Sequence, residues 1–221
     1  MLKVMKRITF IFLMALYILP AQSQLLYFET GKVFSSFDYK NSSGKSLSNL
    51  VGSNENNLGL GFRMPVHKSA LHLLIGASYN KQGAEGSDAA LGNYYSWDFH
   101  TLGLNAGIDY EFFMPPINQN EQKGLSFLIR AGLETDFLTN GTQRINNQVY
   151  DLAGKEEFDK PFYFLKAGAA VNYYISKMFV VYVQYMYGQS ILFGDYTKKE
   201  QLKFITHNIS VGLSIRLFNY R

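Results

Sequence analysis

The stretch from Lys203 to Phe218, KFITHNISVGLSIRLF, carries the clearest pattern in this chain. From Ile205 to Leu217 every second residue is apolar except His207, and each residue between them is polar or glycine. Successive side chains of a β-strand point to opposite faces, so a period of two separates these sets, whereas a helix would mix them. The polar face includes Arg216, which is unusual for the core of a soluble sandwich. The stretch predicts a β-strand whose apolar face meets lipid and whose polar face lines a barrel lumen.

Seven earlier stretches alternate in the same way, and we predict a strand at each. The first contains Glu29 and Lys32 among apolar residues, and its pattern does not fix which face is which. In the fourth, an early apolar set that includes Phe99 has the opposite parity from the set that begins at Leu102, and a β-bulge near His100 and Thr101 would reconcile them. The approximate bounds are residues 25–37, 57–64, 70–80, 102–112, 125–137, 163–173 and 179–188.

The connections between the eight predicted strands differ in length. Those after strands one, three, five and seven are predicted to be long polar loops, over residues 41–56, 81–93, 139–160 and around 194–201, and the others are shorter. Outer-membrane barrels have short periplasmic turns and long extracellular loops, and an even strand number places both termini in the periplasm. We therefore predict an all-β fold, an eight-stranded antiparallel transmembrane up-and-down β-barrel, with extracellular long loops and periplasmic termini.

A soluble lipocalin-like barrel is the main alternative fold. Its apolar face would point inward and line a ligand cavity, and its charged face would point to water. In this chain we expect the apolar face to point outward and the mixed face to point inward. Burying the mixed face in the dry core of a soluble protein would cost several kcal/mol for each unpaired charge, whereas a barrel lumen is polar. The charged residues of the mixed face are predicted to form a lumen network: Arg63, Asp109, Glu111, Arg130, Glu134, Asp136, Lys166 and Arg216.

The first 23 residues have the three parts of a secretory signal peptide: a basic start, an apolar run from Ile8 to Leu19, and small residues before Gln24. A transmembrane anchor is the alternative, but the run is shorter than the roughly 20 residues that a spanning helix needs. We predict that residues 1–23 are cleaved and that residues 24–221 form the barrel.

Composition excludes several classes of function. The net charge is +4, and residues 1–23 hold three basic and no acidic side chains, so the remaining chain carries 4 − 3 = +1 and indicates no nucleic-acid partner. The absence of cysteine excludes disulfides, thiol catalysis and cysteine metal sites. Aromatic residues make up 16% of the chain, which is typical of a barrel with aromatic girdles at two membrane interfaces.

On these features the chain resembles the small outer-membrane β-barrels grouped with the OmpA barrel domain and OmpX. The resemblance covers residues 24–221 and rests on the signal peptide, the eight alternating strands, the loop asymmetry and the aromatic end of the last strand, although the chain ends in Arg221. Its Tyr-, Asn- and Lys-rich character is similar to the Bacteroidota branch of such barrels. The resemblance implies the outer membrane of a Gram-negative bacterium, and that branch includes components of larger envelope complexes, although no motif here selects one.

No catalytic, cofactor-binding or metal site is predicted, because the four histidines are scattered and no phosphate-binding loop is present. The lumen charges are interpreted as a salt-bridge network that fills a narrow barrel, with a proton or ion path as the alternative. Small barrels that deacylate or palmitoylate lipid A use a histidine with a serine and an acid. The two candidates for such a histidine are His207 and His100, the latter near Ser96 and Asp98; both are interpreted as interface residues.

Aromatic residues in the predicted loops are candidate contacts for a partner, and the alternative is that they form the aromatic girdle. We predict a non-catalytic outer-membrane barrel that serves as a structural or partner-binding subunit of an envelope complex, through its loops and its lipid-facing surface. The expected partners are outer-membrane lipid, lipopolysaccharide and an envelope protein; a lipid A-modifying enzyme and a small ion channel are the alternatives. The candidate contact aromatics are Tyr94, Tyr95, Trp97, Tyr150, Phe158, Phe162, Phe193 and Tyr196.

Overall fold

The computed structural model describes residues 24–40, 50–66, 70–88, 93–116, 122–154, 160–191 and 201–217. These residues form nine β-strands, and they contain no helix long and apolar enough to cross a membrane. The strands are β1 (Leu25–Lys40), β2 (Val51–Pro65), β3 (Leu71–Asp88), β4 (Asn93–Phe112), β5 (Gly124–Ile145), β6 (Gln148–Asp151), β7 (Phe162–Tyr174), β8 (Phe179–Ile191) and β9 (Gln201–Arg216).

Eight of the described strands close into a barrel. Each pairs antiparallel with its neighbours in chain order, β5 pairs with β7, and β1 pairs with β9. The short β6 pairs only with the end of β5 and extends it beyond the wall. Leu25 pairs with Arg216, so β1 begins and β9 ends at the same rim, which we call the near rim. The opposite end, where Lys40 pairs with Gln201, is the far rim.

The stagger of the strands sets the width of the barrel. Partner residues followed from Phe28 through β2, β3, β4, β5 and β7 arrive at Ile191 in β8, whereas the path through β9 arrives at Val181. The two paths therefore differ by ten residues (191 − 181), and this difference is the total stagger of the strands around the closed barrel. A barrel of about eight strands is just wide enough for its interior to be filled by side chains.

The alternation predicted from sequence is present in the barrel wall. On β9, Val211 and Ile209 point outward and are exposed, while Ser210 and Ser214 point inward and are buried. The facing of β1, which the sequence left open, is settled by Tyr27 and Val33 inside and Phe28 and Phe34 outside. An outward apolar belt runs around all eight strands, and its members, one from each strand, are 44–59% exposed: Phe28, Leu60, Ile75, Leu104, Ile129, Leu165, Val183 and Val211.

Several strands are longer than predicted. The polar run expected as a loop over residues 81–93 is mostly strand, because β3 and β4 stay paired as far as Asp88 and Asn93. Likewise β5 continues through much of the predicted loop over residues 139–160, and β2 begins at Val51, within the loop predicted over residues 41–56. Outside the membrane both faces of a hairpin can be polar, so the loss of alternation marks the membrane boundary and not the strand end.

The predicted bulge lies in a different strand. β4 pairs with β3 without any shift, so its parity is unbroken and Phe99 points inward with Thr101. The register shifts on β5, where Thr139 is the extra residue between the partners of His100 and Thr101. The expectation that the bulge turns the early apolar set of β4 outward is therefore wrong. Above the apolar belt the outer face meets water, so the apolar side chain turns inward.

Candidate functional site

A buried ionic cluster fills the lumen beside the near rim. The Arg63 guanidinium donates to Asp109 through Nη2 to Oδ1 at 2.7 Å and Nε to Oδ2 at 2.8 Å, and to Glu111 Oε2 at 2.7 Å. The same guanidinium lies 2.8 Å from His72 Nδ1. β2, β3 and β4 supply these four side chains, all of which are buried. One cation thus contacts two carboxylates in a buried space, where an unpaired charge would be costly.

The hydroxyl and amide groups of two more strands, β5 and β7, complete the coordination of Glu111. Its Oε1 accepts hydrogen bonds from Tyr174 Oη at 2.6 Å, from Asn172 Nδ2 at 3.2 Å and from the Ser126 hydroxyl. Arg130 approaches Asp109 from the other side, with Nε 3.4 Å from Oδ2. The cluster therefore connects β2, β3, β4, β5 and β7 across the lumen.

A second polar layer lies at mid-height. Glu29 of β1 accepts from Tyr182 Oη and Gln184 Nε2, each at 2.8 Å. Arg130 donates to Gln184 and lies over the Tyr182 ring, 5.3 Å from its centroid. A cavity of about 80 Å³ opens beside this layer and is lined by Glu29, Arg130 and Asn105 among other polar side chains.

A third layer lies nearer the far rim, on β3, β4, β5 and β7. Lys166 Nζ donates to Glu134 Oε2 at 2.7 Å, and Asn80 Nδ2 donates to Glu134 Oε1 at 3.1 Å. Asp136 Oδ2 accepts from Thr101 Oγ1 at 3.0 Å and from Gln82 Nε2 at 3.4 Å. This layer contains two carboxylates and one lysine.

The eight predicted lumen residues fall into three places. Arg63, Asp109, Glu111 and Arg130 lie together in the near-rim cluster, and Glu134, Asp136 and Lys166 form the third layer. Arg216 lies apart from both, half-buried at the near rim, with Nη1 3.4 Å from Gln122 Oε1.

Sequence reasoning missed several members of these layers. Glu29 lies on the strand whose facing was undetermined, and His72 was not distinguished from its polar neighbours. Tyr174 and Tyr182 each have the parity of the lumen face, which is the signal that identifies an inward tyrosine.

An apolar plug closes the lumen at the far rim. It consists of buried side chains from four strands and the segment after β6: Ala84, Phe99, Leu152, Phe164 and Phe204. The Phe204 ring is at its centre, 5.9 Å from Phe99 and 4.8 Å from Phe162 between centroids. Phe162 therefore begins β7 and packs against the plug, so it does not lie in the loop where the sequence placed it.

The outer face of the far rim carries a polar cleft. A bulge in β2 after Gly52 brings Glu55 toward β3, where Lys81 Nζ lies 3.5 Å from its Oε2 and 3.1 Å from Asp98 Oδ2. The hydrogen bond to Asp98 raises the pKa of Lys81 above its usual value. The cleft has a volume of about 280 Å³, and its lining also includes Glu85 and Trp97.

The candidate contact aromatics occupy different environments. Tyr94 and Tyr150 are 40% and 38% exposed at the far rim. Tyr95 stacks on Trp97 with centroids 5.9 Å apart, and Trp97 packs against the apolar plug and is half-buried. The other three, Phe158, Phe193 and Tyr196, lie outside the described residues, as does the predicted signal peptide.

Both histidines considered for catalysis lie on the outer face and bind tyrosine hydroxyls. His100 Nδ1 is 2.9 Å from Tyr79 Oη, and His207 Nδ1 is 2.7 Å from Tyr185 Oη. Asp98, two residues from His100, instead binds Lys81. Within the described ranges no group of three or more His, Cys, Asp or Glu side chains has the geometry to hold a metal ion.

Solved structures with a similar fold are outer-membrane proteins. They include Neisserial surface protein A (11% identity, TM-score 0.47, 87% of this chain and 97% of that one) and OprG from Pseudomonas aeruginosa (12%, 0.47, 90% and 98%). They also include the outer membrane protease OmpT from Escherichia coli (7%, 0.40, 88% and 97%).

No protein-family model and no curated protein matches the sequence. None of the three similar structures bears on the expected resemblance to Bacteroidota barrels. The strand pairing and the outward apolar belt of this chain identify it as a closed eight-stranded antiparallel β-barrel of the transmembrane type.

Proposed function

We propose that this chain is a non-catalytic barrel of a Gram-negative outer membrane that presents a protein-binding surface at its far rim. The observation that carries the proposal is the contrast between the lumen of the barrel and the outer face of its far rim. The lumen holds buried charged and polar side chains and is capped by the apolar plug, whereas the outer face of the far rim holds an open polar cleft with exposed tyrosines beside it.

The apolar belt supports the membrane location. On β4 its members run from Phe112 to Leu102, ten residue steps, which correspond to about 25 Å of height for a strand tilted by about 40°. This is the thickness of the lipid-facing band in outer-membrane barrels. Aromatic side chains border the belt on both sides, with Tyr110, Tyr173 and Phe179 toward the near rim and Tyr79 and Tyr163 toward the far rim.

We infer that the far rim faces the cell exterior and the near rim faces the periplasm. The wall extends beyond the belt mainly at the far rim, where β3, β4 and β5 continue as paired hairpins and β6 adds a further turn. Long extracellular extensions and short periplasmic turns are the usual asymmetry of these barrels. The predicted cleavage before Gln24 is consistent with a periplasmic N-terminus.

The chemistry of the far rim favours a partner with basic and hydrogen-bonding groups. Among the described residues that line the cleft, the charged side chains are Glu55, Glu85 and Asp98, and Lys81 pairs with two of them, so the lining is mainly acidic. Tyr94 and Tyr150 offer aromatic surface with a polar tip, a combination enriched at protein interfaces. Lipopolysaccharide remains an expected neighbour of the belt, but its phosphate groups do not match an acidic cleft.

Site-specific photo-crosslinking tests the contact surface. A benzophenone amino acid at Tyr150 or Tyr94 should give one discrete crosslinked product in intact cells, because both side chains are exposed at the proposed interface. The matched control is Phe113, which is 81% exposed at the near rim and should give no such product. Equal products at both rims, or none at either, would argue against a far-rim partner.

The enzyme alternative is tested by lipid A mass spectrometry. Strains that carry His100→Ala or His207→Ala should produce the same lipid A as the wild type, because each histidine is bound to a tyrosine on the lipid-facing side. A lipid A species that disappears with either variant would contradict the non-catalytic proposal.

A further inference from the structure

Among the described residues, the third lumen layer holds two carboxyl groups and one cation. Glu134 and Asp136 are two residues apart on the inward face of β5, and Lys166 is the single cation described beside them. The Lys166 ammonium lies 2.7 Å from Glu134 Oε2, so its charge is committed to Glu134. The donors to Asp136 among the described residues are neutral, the Thr101 hydroxyl and the Gln82 amide, and the Glu134 carboxyl group lies beside it within hydrogen-bonding reach.

The surroundings of Asp136 keep solvent away from this charge. β7 contributes Phe164 and Lys166, β1 contributes Val33, and β9 contributes Thr206 and Asn208. The apolar plug lies directly beyond Phe164. A carboxylate in such a place needs a positive partner, because the desolvation cost of a buried unpaired charge is several kcal/mol.

Three buried oxygens in this layer accept no hydrogen bond within the described part of the chain: Gln82 Oε1, Asp136 Oδ1 and Asn208 Oδ1. The side chains are 3%, 1% and 9% exposed, and all three line one void of about 10 Å³. The amide of Gln82 is oriented by its donation to Asp136 Oδ2, which turns its oxygen away from that bond. The void therefore collects acceptors that lack a donor.

The residue facing Asp136 across the strand pair makes room for this arrangement. Gly103 is the β4 partner of Asp136, and a methyl group in its place would overlap Asp136 Oδ1 and lie 3.0 Å from Glu134 Oε1. Both carboxylates thus approach the wall closely only because that position is glycine.

We propose that Asp136, Gln82 and Asn208 bind one small monovalent cation, Na⁺ or K⁺, inside the barrel. Carboxylate and amide oxygens are the ligands that hard cations prefer, and a void of this size admits one ion or one water molecule. The positive charge of the ion, together with that of Lys166, balances the two negative charges of Glu134 and Asp136. This site is independent of the far-rim surface, and it ties β3, β5 and β9 together beneath the plug.

The test is the thermal stability of the purified barrel, refolded in neutral detergent micelles with NaCl, KCl or choline chloride at equal ionic strength. Choline is too large for the void and serves as the reference cation. The unfolding temperature should rise saturably with Na⁺ or K⁺, by about 3–6 °C when the ion is at about ten times its dissociation constant. Asp136→Asn, which keeps the shape and removes the charge, should lose this dependence while still folding.

Two controls separate the cation from general salt effects. Asp98→Asn removes an exposed carboxylate at the outer cleft and should keep the full dependence on Na⁺ or K⁺. An unfolding temperature that is the same in all three salts would overturn the proposal and would mean that a shared proton neutralises the two carboxylates. A dependence that survives Asp136→Asn would place the ion elsewhere and would overturn it equally.

Discussion

At the scale of single residues, Arg63 has the largest structural role in the lumen. Its guanidinium contacts Asp109, Glu111 and His72, so its loss leaves two buried carboxylates without their principal cation. Removing one partner from a buried pair costs about 3–5 kcal/mol, because the charge that remains is uncompensated. We expect Arg63→Leu to lower the free energy of unfolding by about this amount.

The measurement for Arg63→Leu is denaturant unfolding in micelles, followed by the fluorescence of Trp97, the single tryptophan of the chain. Lys81→Leu is the matched control, because it also removes a cation with two acidic neighbours, but at a partly exposed position. Exposed pairs contribute about 0–1 kcal/mol, so the control should change little. Equal effects of the two variants would mean that solvent reaches the lumen cluster.

At the scale of elements, β4 and β9 invert their pattern where they leave the membrane. Within the belt their inward residues are polar, but above it Phe99 and Phe204 point inward and form the plug. A strand that crosses from lipid to water exchanges its outer environment, so the side on which apolar residues are stabilised also changes. The rule of apolar outside and polar inside therefore applies only to the membrane-spanning part of each strand.

Phe204→Ala tests this inversion. A fully buried ring leaves a cavity on truncation, and we expect a loss of about 3–5 kcal/mol in the free energy of unfolding. Phe34→Ala on the neighbouring β1 removes a ring of the same size from the outer face and should cost clearly less. A smaller loss for Phe204→Ala than for Phe34→Ala would contradict the plug.

The same variant also bears on the channel alternative. Removal of Phe204 opens the far end of the lumen, but the ionic layers below still fill it. We therefore expect no steady conductance in planar bilayers for either the wild type or Phe204→Ala. A stable open channel in the wild type would favour the ion-channel function over the proposed contact surface.

At the scale of the whole molecule, lipid outside and paired charges inside explain why the barrel is stable with its apolar face exposed. An apolar surface of this extent would be a liability in water, but it is solvated by lipid. Closure of the sheet leaves no unpaired strand edge in the hydrocarbon region.

Depth-dependent substitution tests this arrangement. Ile129→Arg places a charge at the middle of the belt and should lower the free energy of unfolding in phospholipid vesicles by about 2–4 kcal/mol. Val51→Arg places the same charge at an exposed far-rim position, where surface substitutions usually stay within about 0.5 kcal/mol. Equal costs at the two positions would show that the belt does not lie in lipid.

The sequence by itself determined the fold class, the number of barrel strands and the facing of the membrane-spanning residues on every barrel strand except β1. These follow from local physics, because a period of two is read from neighbours such as Ile209, Ser210 and Val211, and each strand repeats it. The sequence also placed Arg63, Asp109 and Lys166 on the polar face, since parity alone decides the side of a sheet.

Only the tertiary structure decided which of these charges meet and where the strands end. The pairing of Arg63 with Asp109, and of Lys166 with Glu134, depends on the stagger between strands that are distant in sequence. Phe99 faces inward because rings from other strands gather at the far rim, a contact that no local pattern encodes. Alternation is a property of one strand, whereas register, stagger and plug are properties of the closed barrel.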